Sequence, residues 1–458
     1  MKRYVVVGTG GRSQMYLEAL LTTHADVGHV VAFVDTNAVR MAHYDGLVAR
    51  HGGAPVRHRA PEGFADLLRD ERPDAVVVTS PDFTHAAYVV AALDAGVDVV
   101  CEKPLTIDAD GLRAIVEAAE RSTARLTVTF NYRYSPRNST VRRLLQEGAV
   151  GEVTSVHFEW CLDTVHGADY FRRWHRRKEN SGGLLVHKST HHFDLVNWWL
   201  ADVPVDVYAR GGLRFYGAQN AARRGLGPRP ELSRDGLGRD DPFALDLRSD
   251  PKLEALFLAG EHLDGYRRDR DVFSDGITIE DNLSVLVGYD RGASMAYTLT
   301  AHSPWEGYRV VFNGTGGRLE LEVVERSHVE AAAVAAGAVP GKEAPVVDPS
   351  AAAETDGGGG PDLRPWGSRI LLQPLWGRAV EVPIPTGAGA HGGGDAVLLD
   401  DVLRGAGDDP LHRPAGYLDG VRSVLVGVAA NDSLASGRAV DLRSYGLPLH
   451  AGELERTA

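Results

Sequence analysis

Lys103 stands between Glu102 and Pro104, just beyond the apolar run Val97–Cys101. An ammonium beside a substrate hydroxyl or ketone stabilises negative charge developing on the oxygen, or relays a proton. The chain otherwise takes its positive charge from arginine: of its 49 basic residues six are lysines, and Lys103 and Lys188 both fall inside motifs. A compact, deprotonatable ammonium suits proton chemistry better than a guanidinium does. On the tripeptide alone, a solvated lysine at a strand end is an equally good reading.

A second group follows Gly182-Gly183 and contains His187, Lys188, His191, His192 and Asp194. On one continuous helix His187, His191 and Asp194 fall at i, i+4 and i+7 and share a face. Imidazoles so spaced can act as general acid and base. They also suit a zinc ion if a distant His391 or Asp395 joins them, although no metal is expected. Taken alone, they are better read as core or capping residues of an amphipathic helix that runs on through Leu195 and Trp198.

These groups need a scaffold, and the first 130 residues supply a pattern for one. Strand-like runs at Tyr4–Val7, His29–Val34, Ala75–Thr79, Val97–Cys101 and Leu126–Phe130 alternate with helical stretches such as Ala86–Ala95 and Asp110–Ser122. Such repetition, with little polar alternation in the strands, predicts a doubly wound parallel sheet covered on both faces. Gly8-Thr9-Gly10-Gly11-Arg12-Ser13 lies between the first strand and the first helix, where glycines let backbone approach a pyrophosphate. Asp35 ends the second strand, placed to accept hydrogen bonds from a ribose and to repel a 2′-phosphate. Ser80-Pro81, His85 and Glu102-Lys103 lie past the carboxyl ends of later strands, where open α/β sheets bind ligands.

Beyond residue 130 the texture changes. Glu152–Asp163 reads as a long strand, and Leu283–Leu299 and Arg309–Val323 as hairpins. The expectation is an N-terminal Rossmann domain over 1–130 and an α+β domain over 131–458 with a large, mostly antiparallel sheet. Two stretches, about 217–276 and 331–386, fit neither pattern and read as insertions.

Together Gly8–Ser13, Asp35, Ser80-Pro81 to His85 and Glu102-Lys103-Pro104 resemble the glucose–fructose oxidoreductase / inositol dehydrogenase / MocA family. The resemblance continues through Asn131-Tyr132-Arg133-Tyr134 and Gly148–Glu152. It implies an NAD-dependent oxidoreductase acting on a secondary hydroxyl or ketone of a sugar, glycoside or cyclitol. His191 matches the family's catalytic-base histidine and Asp194 its following acid, with Lys103 orienting the oxygen. His187 stands where the family usually has an aspartate, a departure that points to a different pocket. Gly8, Thr9, Gly10, Gly11, Arg12, Ser13, Asp35, Ser80, Pro81, His85, Glu102 and Lys103 are then expected at the cofactor. Asn131, Tyr132, Arg133, Trp174, Lys188, Asp194 and His391 are expected at the substrate. His391–Asp395 also resembles a segment of a glycosidase-like branch, which cleaves by transient oxidation, elimination, water addition and re-reduction. A dinucleotide-binding sensor without catalysis is the remaining alternative, and Lys103 with His191 argues against it.

Composition narrows the partners. A net charge of −13 disfavours nucleic-acid binding. The stretch Arg172–Lys178, interleaved with aromatics, then reads as a solvated strand edge or substrate rim. No apolar run is long enough to span a bilayer, and the Met1-Lys2-Arg3 start is too short a charged head for a secretory signal. Two cysteines, Cys101 and Cys161, fit a reducing cytoplasm. A wide sheet with one face otherwise wet predicts a homo-oligomer, a dimer or tetramer.

Overall fold

A computed structural model describes residues 1–238, 240–330, 364–385 and 393–450. Its first sheet contains β1 (Lys2–Val7), β2 (Gly28–Val34), β3 (Arg57–Arg59), β4 (Ala75–Val78), β5 (Asp98–Cys101) and β6 (Leu126–Val128). The strands lie in the order β6-β5-β4-β1-β2-β3, all parallel, and Ala415–Gly416 adds a short antiparallel edge to β6. β4 is wholly buried, and Val5, Val6, Val76 and Val77 are fully inaccessible. This is why these strands carry no polar alternation.

Helices α1 (Ser13–Leu21), α2 (Ala38–Arg50), α3 (Phe64–Glu71), α4 (His85–Asp94) and α5 (Ala109–Arg121) form the crossovers. The order reverses at β1 and β4, so the loops after them meet in one crevice. β3 and α2 were not foreseen in the sequence. α2 is started by Asn37, whose side chain accepts from the N–H groups of Val39 and Arg40. That cap sets Arg40 in the first turn, next to the end of β2.

After α6 (Pro136–Gln146) comes β7 (Val153–Asp163), the central strand of a second sheet. α7 (His166–Arg172), α8 (Lys178–Ser181), α9 (Leu184–His187) and α10 (Thr190–Leu200) lead to β8 (Pro204–Gly212). Then come β9 (Asn282–Tyr289), β10 (Ser294–Ser303), β11 (Glu306–Gly314), β12 (Gly317–Arg326), β13 (Gly367–Pro374) and β14 (Val380–Val382). Every pairing in this sheet is antiparallel except β7 with β10. The long helix Tyr417–Ser436 and α10 cover one face. The other shows alternate exposed side chains, among them Ser284, Leu286, Thr298 and Glu159.

Three sequence expectations change here. Residues 367–382, assigned to an insertion, extend the sheet as β13 and β14, because Leu319 and Leu321 of β12 gain paired neighbours in Leu372 and Ile370. The continuous helix expected across His187–Asp194 is two helices, α9 and α10, separated at Lys188-Ser189. The stretch Arg172–Lys178 is only partly solvated: Arg177 is exposed, whereas Arg172 and Arg176 are buried, donating to the Phe243 carbonyl at 2.7 Å and the Asp275 carbonyl at 2.6 Å, respectively.

Those acceptors belong to the 217–276 segment, which is short helices and turns rather than free loop. Phe215, Tyr216, Phe243 and Phe273 pack around its base. Farther along, Leu253, Leu256 and Phe257 join the core that holds Met41, Tyr44, Leu47 and Val48 of α2. The segment is therefore anchored on both domains.

Candidate active site

The crevice is a single cavity of about 660 Å³ that runs from the loop after β1 to α9 and α10. At one end Gly8, Gly10, Gly11 and Arg12 form its wall. Gly8 has φ +85°, and a Cβ there would lie 2.4 Å from the Ser80 nitrogen. Only glycine lets the β1 and β4 loops come this close. A Cβ on Gly10 would meet no protein atom within 4 Å. Arg12, at the N-cap of α1, donates to Glu102 Oε1 at 2.6 Å and leaves the helix without a side-chain cap. A glycine wall at an uncapped helix start fits a pyrophosphate.

Thr9 and Ser13 do not line the cavity; they brace the turn behind it. The Thr9 N–H and hydroxyl donate to Asp35 Oδ2 at 2.7 and 2.8 Å, and Ser13 donates to the Gly10 carbonyl at 2.8 Å. Asp35 Oδ1 accepts from the Asn37 N–H at 2.8 Å and from Arg40 Nη2 at 2.9 Å. Asp35 reaches the cavity, but its lone-pair sites already hold four donors. Arg40, which sequence distance gave no reason to weigh, lines the cavity beside it.

Ser80, Pro81, His85 and Glu102 line the middle. The His85 ring lies 2.8 Å from both the Ser80 and the Pro104 carbonyl, tying the β4 loop to the β5 loop. Burial lowers its pKa, against the pull of the two carbonyls. Glu102 receives Arg12 and, at 2.7 Å, the Tyr16 hydroxyl. It holds the loop that carries Lys103, more than it faces a ligand.

At the far end the cavity brings together Lys103, His187, His191, Lys188, Asn131 and Trp174. Lys103 Nζ donates to the His187 carbonyl at 3.3 Å. The His191 ring stacks on Tyr132 with centroids 4.4 Å apart and planes 13° from parallel. Lys188 is buried and donates to the Tyr132 hydroxyl at 3.1 Å, its ammonium 4.7 Å from the Trp160 ring centre. Asn131 donates to Asp395 Oδ1 at 2.9 Å.

Three expected substrate residues are corrected. Tyr132 is not on the cavity wall; it is the platform behind His191. Arg133 and Asp194 form a buried two-pronged ion pair, at 2.8 and 2.5 Å, with Asp419 at 3.1 Å from the same guanidinium. After the break at Lys188-Ser189 the register carries Asp194 away from the cavity, toward Arg133. His391 lies outside the described residues.

Other residues at the site were not foreseen. Asp82 Oδ2 lies 2.5 Å from His187 Nδ1. Burial pushes the Asp82 carboxyl up, against the pull of Lys103 and Arg173, and pushes the His187 imidazole down, with Lys103 adding to the effect. Burial thus disfavours charge on both partners of this contact, which orients the His187 ring through Nδ1 and leaves Nε2 on the other side of the ring. Glu306 and Tyr170 bracket His166 at 2.6 and 3.0 Å. Asp169 joins Arg268 at 2.6 Å. Burial opposes ionisation of Asp169, but Arg268, Arg173 and Arg172 outweigh it and hold the carboxyl below its usual range. Asp82 lay inside the Ser80–His85 segment, so its position was legible; the others had no motif around them.

Residues 2–130 match the oxidoreductase family with an NAD-binding Rossmann fold, and residues 142–442 match that family's C-terminal α/β domain. The chain belongs to this family. It is 32% identical to YteT of Bacillus subtilis over 97% of this chain and 98% of that protein. It is 35% identical to an inositol 2-dehydrogenase of Rubrobacter xylanophilus over 45% of this chain and 54% of that enzyme. The structure of an oxidoreductase from Agrobacterium radiobacter in complex with NAD+, L-tartaric acid and magnesium has the same fold. Its TM-score is 0.58 at 18% identity, over 97% of this chain and 99% of that one. Among the described residues no cluster of three His, Cys, Asp or Glu side chains is placed to hold a metal ion, and no helix is long and apolar enough to cross a membrane.

Proposed function

We propose that this protein is an NAD(H)-dependent oxidoreductase acting on a secondary hydroxyl or ketone of a sugar, glycoside or cyclitol. One observation carries the reading: a single cavity joins the glycine wall and Asp35 to Lys103, His187 and His191. The similarity to an inositol 2-dehydrogenase over 45% of this chain supports the substrate class.

A nicotinamide bound there supplies the hydride acceptor. The rest is done by side chains. His191, its ring fixed against Tyr132, takes the hydroxyl proton. Lys103 places its ammonium on the same oxygen and stabilises the charge that builds there. His187 offers its Nε2, with the ring oriented by Asp82 at Nδ1. Trp174 gives an apolar ring for a sugar face.

Mass spectrometry of the native protein, followed by an NADH absorbance screen over sugars, glycosides and cyclitols, tests this. NADH formed in step with a ketone supports the dehydrogenase. Aglycone release without net NADH would replace it by redox-neutral bond cleavage, which two imidazoles in one pocket would also serve. Dinucleotide binding with no turnover over the panel would leave a sensor. Assembly as a homodimer or homotetramer in a cytoplasmic setting completes the proposal, and light scattering of the purified protein measures its order.

A further inference from the structure

We propose that the inserted segment 217–276 is a working part of the dinucleotide site, and that its Asp264 sets selectivity against a 2′-phosphate. This rests on the reading that the cavity takes a nicotinamide dinucleotide. It adds a residue that no fingerprint contains.

The end of the cavity beyond Asp35 is closed by Phe257, Asp264, Gly265 and Tyr266, all from the insertion. Their position is fixed. The Asn37 side chain donates to the Gly260 carbonyl at 2.8 Å, and a Cβ on Gly260 would lie 2.6 Å from the Asn37 side-chain oxygen. Asn37 is also the cap of α2, so the residue that places Arg40 also seats the insertion.

Arg40 Nη2 then lies 2.9 Å from Asp35 Oδ1 and 2.5 Å from Asp264 Oδ2. All three side chains are nearly buried, at 11%, 7% and 13% exposure for Arg40, Asp35 and Asp264. A lone arginine beside a ribose pocket is a receptor for a 2′-phosphate. Here one guanidinium is shared by two carboxylates, and the cluster is net negative. Asp35 is already saturated with donors, so discrimination falls to the charge balance, and Asp264 tips it. Without Asp264 the cluster is a neutral pair whose arginine has a free edge to offer a phosphate.

The test is fluorescence titration of the full-length protein, freed of carried-over nucleotide, with NAD+ and NADP+ as the probes. Wild type should prefer NAD+. Asp264→Asn, close in shape but neutral, should narrow that preference by about tenfold, equivalent to about 1.4 kcal/mol, chiefly through tighter NADP+ binding. Adding Arg40→Gln should abolish the gain, because Asp264 acts through that guanidinium. An unchanged NAD+/NADP+ ratio in a folded Asp264→Asn protein overturns the proposal, as does a wild type that prefers NADP+. Asp264→Ala serves as a second variant, and collapse of melting in both would mark Asp264 as purely structural and also overturn it. Wild type that binds neither nucleotide would instead defeat the underlying reading of the cavity.

Discussion

Asp82 and His187 come from different domains and meet at 2.5 Å across the cavity. Position 187, where the family resemblance points to an aspartate, is a histidine, yet a carboxyl still reaches this part of the site, supplied by the β4 loop. It governs an imidazole that itself lines the pocket.

Asp82 is expected to act by orienting the His187 ring through its contact with Nδ1. Asp82→Asn keeps a hydrogen-bonding partner at Nδ1 and should lose less than about tenfold in kcat, whereas Asp82→Ala should lose roughly tenfold to a hundredfold. Nucleotide affinity should stay at the wild-type value in both. Steady-state kinetics across pH 5–9 check this, and equal losses in the two variants would remove the orienting role.

Lys103 is expected to act on the oxygen of the substrate. Lys103→Ala should lower kcat by about a hundredfold or more while leaving NAD+ binding and melting temperature near wild type. Unchanged turnover in a folded, nucleotide-binding variant would refute the assignment.

Arg133 and Asp194 belong to stability. Removing one partner of a buried ion pair strands the other charge, so Arg133→Met should cost about 3–5 kcal/mol in denaturant unfolding. Restoring an uncharged partner with Asp194→Leu in the same chain should recover part of that. Loss of substrate affinity without loss of stability would return both residues to the pocket.

The Asp169–Arg268 contact makes a pH prediction. Asp169 is held below its usual range in the folded protein, so the stability it contributes is present above the unfolded value of about 3.9 and is lost as pH falls through the lower folded value. Arg268→Gln removes the largest opposing charge and raises that folded value. Its acid-unfolding limb should therefore begin at higher pH than that of wild type, as followed by melting temperature between pH 3 and 7.

Much of the site was readable because the first domain is built from local signals. Gly8, Asp35, Glu102 and Lys103 each sit at the end of a strand that apolar runs mark out, and the strand ends define the crevice. The second domain obeys no such rule. Whether Asp194 faces a ligand or Arg133 depends on a break at Lys188-Ser189 that has no glycine or proline to announce it. Arg40 and Asp264 are paired only because Asn37 caps α2 and also grips Gly260, a contact between distant parts of the chain. The stretch Arg172–Lys178 read as a solvated edge or substrate rim because nothing in its composition shows that carbonyls of a later segment fold over Arg172 and Arg176.

Those two interior guanidiniums bear on how the chain tolerates shortening. Arg172 and Arg176 spend their donors on the carbonyls of Phe243, Asp271 and Asp275. Excising the segment would strip both guanidiniums of these carbonyl acceptors beside the cavity. The protein therefore cannot be shortened by trimming this segment alone; the loop and its arginines stand or fall as a set.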